Sequence, residues 1–139
     1  MAEAELDVVE LDVFEYAVVR VVPRVDRGEF LNAGIVLWCR AREHLAARTH
    51  LDEQRLHALA GSPDVDLPAV RRHLAALEAV CAGDPRAGAA TTEAKGARFR
   101  WLVAPRSAVL QTSPVHCGLT ADPAAELDRL LTRLVRPGG

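Results

Sequence analysis

From Tyr16 to Arg40 the chain reads YAVVRVVPRVDRGEFLNAGIVLWCR, two runs rich in Val, Ile, Leu and aromatic residues joined by a short polar segment. Such side chains suit a pleated surface, and Gly28 supplies the positive φ that a hairpin loop of moderate length wants. The stretch therefore predicts an antiparallel hairpin, with a first strand over Phe14 to Val25 and a second over Leu31 to Arg40. Pro23 marks an edge position, a bulge or the end of the first strand. The second run is apolar on both sides, Leu31, Ala33, Ile35 and Leu37 against Val36 and Trp38, which is the pattern of a central strand covered on each face. Arginines stand inside and beside this sheet. A desolvated guanidinium is tolerated only when paired and hydrogen-bonded, so Arg20 in mid-strand needs either an internal carboxylate or a ligand anion.

The remaining composition narrows the class. A chain of 139 residues fits one domain with its own core. Cys39, Cys81 and Cys117 are odd in number, far apart and without CxxC spacing, which argues for reduced thiols in a cytoplasmic protein. No basic segment precedes an apolar core at the N-terminus, and no apolar run reaches the roughly 18 residues of a membrane span, so a soluble, untargeted chain is expected. Lys95 is the only lysine among 17 basic residues, so arginine number says little and arginine position says more. Residues 1–15 hold six acids and no base, leaving the rest with 17 basic and 13 acidic groups. We read residues 1–13 as an acidic arm, suited to self-association or to an interaction tail, and residues 14–139 as a single domain.

Helical patterns dominate the second half. After a short third strand over His44 to Thr49, Asp52 caps a helix to about Ala60, ended by Gly61 and Pro63. Asp66, Pro68 and the apolar series Leu67, Val70, Leu74, Leu77 and Cys81 predict a one-faced helix closed by Gly83, with Arg71, Arg72 and Glu78 toward water. Residues 83–92 read as a flexible loop. Glu93 to Val103 suits a short helix capped by Thr92 better than an alternating strand, because Pro105 ends it. A strand over Ala108 to Thr112, an extended stretch to Gly118 and a helix opened by Asp122 and Pro123 complete the chain. The order predicts an α+β fold: a small, mostly antiparallel sheet begun by an N-terminal hairpin and packed by three to four helices.

Two clusters carry the candidate chemistry. Arg20, Arg24, Arg27, Glu29 and Asn32 surround the hairpin, and Arg20 and Arg24 share the parity of Tyr16, so a guanidinium pair beside a phenol forms either an anion clamp or a set of internal ion pairs. Arg106, Ser107, Gln111, Ser113 and His116 lie in a Pro-punctuated extended segment, where they either point into a cleft or satisfy local backbone groups. No nucleophile elbow, phosphate loop or dinucleotide fingerprint is present, no His or Cys spacing fits a metal, and no cofactor is expected. Few aromatics and a small basic excess argue against nucleic acid.

Taken together, TyrAlaValValArgValValProArg, GluPheLeuAsnAlaGly over Glu29 to Gly34, PheArgTrpLeuValAlaProArgSer and SerProValHisCysGly resemble the bacterial family catalogued as domain of unknown function 3037 (DUF3037). The resemblance implies a small cytoplasmic protein of unassigned activity, and similar proteins are encoded beside HipA-like kinase-fold proteins, which implies a partner and no reaction. Two expectations follow. The first is a non-enzymatic partner or regulatory module acting through a protein interface, with an anionic small molecule held by Arg20, Arg24, Asn32, Arg106 and Ser113. The second is an enzyme in which Glu29 and His116 share acid and base roles while Arg20 and Arg106 bind a phosphate- or carboxylate-bearing substrate. A cleft gathering Arg20, Arg106, Ser113 and His116 is what the second requires.

Overall fold

A computed structural model describes residues 9–61, 65–106 and 108–138; the first eight residues of the acidic arm, Pro63 and Ser107 lie outside them. Among the described residues the elements are β1 (Asp12–Val21), β2 (Leu31–Cys39), β3 (His44–Thr49), α1 (Glu53–Ala60), α2 (Leu67–Ala82), α3 (Lys95–Leu102), β4 (Leu110–Thr112), β5 (His116–Thr120) and α4 (Pro123–Leu134). All strand pairs are antiparallel, in the order β3, β2, β1, with β4 and β5 sharing the outer side of β1. The fold is α+β, begun by the β1–β2 hairpin.

The hairpin differs from its sequence pattern in two places. Strand β1 starts two residues early, since Asp12 pairs with Thr120, and it stops at Val21. Beyond it, Val25–Arg27 form one 3-10 turn closed by Gly28 at φ 68°. Register then shifts on β2: Val19 faces Gly34 but Arg20 faces Asn32, so Ala33 is a bulged residue. A bulge reverses side-chain parity. Leu31 and Ala33 consequently pack with Val36 and Trp38, not with Ile35 and Leu37 as strict alternation predicted.

Each face of the central strands is covered. On one side Ala17, Val19, Val21, Val36 and Trp38 meet Leu56 of α1, Val70, Leu74 and Leu77 of α2, and Phe99 and Leu102 of α3. On the other, Phe14, Val18, Ile35, Leu37 and Cys39 meet Leu127, Leu130, Leu131 and Val135 beside or within α4. Full burial of such side chains contributes roughly 1.5–3 kcal/mol each, which makes these two layers the main source of stability.

Local chemistry sets the helix ends. Asp52, Asp66 and Asp122 each accept a hydrogen bond from the backbone three residues on, at Arg55, Ala69 and Ala125, as N-caps do. Helix α3 has Ala94 in the cap position, not Thr92. The stretch predicted as a loop takes the form of two 3-10 turns, Pro85–Ala87 and Ala89–Thr92. Glu78 does not face water: its carboxylate accepts from Thr49 N at 2.9 Å and from Thr49 Oγ1 at 2.7 Å, tying α2 to β3.

Candidate functional site

The guanidinium that is deepest in this fold is Arg98, 8% exposed, and not Arg20. Its terminal nitrogens donate to the carbonyls of Thr91, Glu93 and Cys81, the last in the final turn of α2. A buried cation is thereby held by carbonyl oxygens, one of them at the negative end of a helix dipole. The same site acts on a thiol. Burial pushes Cys81 up to about 12, with Arg98 pulling against it and Glu78 adding a smaller push. Arg98 escaped the sequence reading, although its place four residues before Leu102 sets both on one helix face.

Arg20 is partly buried on the α4 side of the sheet. Its guanidinium lies 4.0 Å from the centre of the Phe30 ring, a cation–π contact, and it has no ion pair among the described residues. Asn32 stands opposite in register on the same face, where its amide nitrogen donates to Leu134 O at the end of α4. The inner nitrogen of Arg20 and the amide oxygen of Asn32 are both buried without a hydrogen-bond partner. The GluPheLeuAsnAlaGly motif thus has local duties. Glu29 pairs with Arg27 at 2.6 Å, Phe30 carries Arg20, and Asn32 caps α4. At Gly34 an added Cβ would meet Arg48 O of β3 at 2.8 Å.

The second cluster is divided among surroundings. Ser113 is buried, where its hydroxyl accepts from Val18 N at 2.8 Å and donates to Pro114 O at 2.9 Å. That exchange bridges a register slip at the sheet edge: four residues of β1 from Val19 to Tyr16 answer to five from Thr112 to His116. The ring of exposed His116 lies tilted beside that of Tyr16, with centres 5.3 Å apart. Arg106 donates to Ala104 O and Trp101 O just past α3 and lies 5.2 Å from the Trp101 ring, on the other side of the sheet. Arg24 lines a cavity on that same side and pairs loosely with Asp26 at 3.6 Å. Arg20, Arg106, Ser113 and His116 do not share a cleft. Glu29 and His116 are also apart: His116 pairs with Tyr16, whereas Glu29 lies beyond the Val21–Leu31 pair that ends the hairpin ladder, and Tyr16 and Val21 are five positions or roughly 17 Å from one another.

What the sequence did not single out is the outer side of β5. Its five residues, His116–Thr120, carry no acid, lysine, arginine or proline, and among the described residues no backbone hydrogen bond leaves their outer side. Leu119 pairs across to Val13, and these two side chains are 60% and 58% exposed; Leu11, Val9 and Cys117 are exposed nearby in sequence. Gly118 completes the strand because the Phe14 ring occupies the room of a side chain, 2.7 Å from an added Cβ. Natural sheet edges are ordinarily guarded by charge, proline, bulges or a covering helix. Within His116–Thr120 there is no acid, lysine, arginine or proline, and among the described residues the nearest charges are the Arg100–Glu15 and Arg42–Asp12 pairs, whose acids stand on β1 opposite Cys117 and Thr120.

A family model covers residues 16–135, from the middle of β1 to the end of α4. The chain belongs to the DUF3037 family, described as proteins of unknown function. No curated protein and no solved structure matches it. The match spans all five strands in whole or part and all four helices, so the hairpin, the Arg98 junction and most of the open edge lie within the family's domain. Among the described residues of this DUF3037 chain, no helix is long and apolar enough to cross a membrane, and no three His, Cys, Asp or Glu side chains gather as a metal-ligating group.

Proposed function

We propose that this DUF3037 protein is a cytoplasmic, non-enzymatic interaction module that presents the β5 edge to a protein partner, which adds an extended segment to the sheet. The observation that carries the reading is the edge itself, free of acid, lysine and arginine and, among the described residues, without a backbone partner on its outer side, beside the exposed Val13–Leu119 pair. In strand addition the main-chain hydrogen bonds supply affinity and alternate side chains supply specificity, and β5 offers both. The partner suggested by the family resemblance is a HipA-like kinase-fold protein. Three thiols without disulfides agree with a reducing compartment. The enzyme reading has less behind it, because Glu29 is engaged by Arg27 and the remaining polar groups stand on different sides of the sheet.

Co-expression of the chain with the neighbouring kinase-fold protein tests the reading. A complex should survive purification, and Leu119→Glu or Val13→Glu should weaken it at least tenfold while the thermal midpoint stays within a few degrees. No complex at micromolar concentration, or binding by both variants as tight as the wild type's, would count against it.

A further inference from the structure

On the helix side of the sheet two cavities of about 410 and 620 Å³ share His73 and Val109, forming one groove between α2 and the segment that leads into β4. Small-molecule sites have volumes of roughly 300–1,000 Å³ and apolar walls with a few placed polar groups. The make-up here is of that kind. Val19 and Val21 from β1, Leu77 and Val80 from α2, and Leu110 from β4 supply the apolar lining. Trp101 and Val109 line it as well, yet they are 52% and 43% exposed.

Charge then selects the occupant. Arg106 is held in place by two carbonyls and the Trp101 ring, and these contacts use its inner nitrogen and one terminal nitrogen, leaving the other terminal nitrogen without an acceptor among the described residues. Arg24 lines the second cavity. Asp66 is the one acid among the described lining residues, and its carboxylate caps α2 through Ala69 N. An apolar floor with a fixed guanidinium at its side, and with the one carboxylate among the described lining residues bound at the start of α2, favours an anion with an apolar body. We propose that this groove binds an amphipathic small molecule whose single carboxylate or phosphate head is held by Arg106 and whose body lies along β1 and α2. The site is apart from the β5 edge, so its fate does not depend on the interaction reading.

Titration calorimetry with decanoate and decyl phosphate below their micelle concentrations, and with decanol and decylammonium as controls, tests the proposal on the full chain. One equivalent of at least one anion should bind, about tenfold or more tightly than either control, and the tighter of the two anions identifies the head group. Arg106→Gln should weaken that binding about tenfold, the scale of one charge-assisted hydrogen bond. Val109→Glu, at an exposed position that tolerates polarity, should weaken it at least as much through like-charge repulsion, with melting curves verifying that both variants fold. Equal binding of all four amphiphiles, no saturable binding, or either variant binding the anion as the wild type does would overturn the proposal.

Discussion

The two edges of this sheet have been finished in opposite ways. Strand β3 is tied down: Thr49 N and Oγ1 donate to Glu78 of α2, Arg48 pairs with Asp128 of α4 at 2.8 Å, and Leu45 is buried in the core. Strand β5 has exposed His116, Cys117 and Leu119, and a buried side chain only at Thr120. Both are outermost strands of one sheet, so the contrast does not come from topology. It comes from side chains: β3 itself is bonded to α2 and α4 through Thr49 and Arg48, whereas among the described residues the nearest charges to β5 are on its partner strand, where Glu15 pairs with Arg100 and Asp12 with Arg42. An edge of this kind is a hazard in solution, and the proposed partner would cover it.

The comparison can be broken from the closed side first. Arg98→Met removes the cation that joins the end of α2 to the residues before α3 and leaves the carbonyls of Cys81, Thr91 and Glu93 without their donor, so a loss of about 3 kcal/mol is expected in urea unfolding. Glu78→Ala frees Thr49 N and Oγ1 together, and the expected loss is roughly 2 kcal/mol, with faster amide exchange at β3. A smaller effect is set by pH. Because burial raises the Cys81 thiol from 9.0 to about 12, the folded state holds the proton longer than the unfolded state, and the stability this group contributes is whole below pH 9 and falls as pH rises toward 12. At pH 8 a thiol reagent should accordingly modify exposed Cys117 well before buried Cys81 and Cys39. On the open side Leu119→Glu should move stability by no more than about 0.5 kcal/mol, because the side chain is already exposed.

Legibility in the sequence followed the range of the interactions. Local chemistry was readable: Asp caps, Pro in first turns and Gly at positive φ placed α1, α2 and α4, and Pro105 decided between helix and strand before it. Register was not. Neither the bulge at Ala33 nor the slip around Ser113 is a property of one strand, because each depends on which residue of β1 stands opposite. The same holds for the candidate site. Arg20 was singled out for sitting in mid-strand, yet its partner is the Phe30 ring across the hairpin, a contact that no carboxylate search would find. Arg98 was overlooked because its acceptors are backbone carbonyls, which every residue possesses and no motif announces. The open edge is legible only as an absence of charge in His116–Thr120, and that absence acquires meaning once those residues are known to end the sheet.

The most direct test of the central claim compares the two edges in one experiment. Amide hydrogen exchange followed residue by residue, with and without the proposed kinase-fold partner, should show new protection confined to β5 and its flanks at Val115 and Ala121, while β3 exchanges as it does alone. Protection that falls on β3 or α4 and spares β5 would contradict the account.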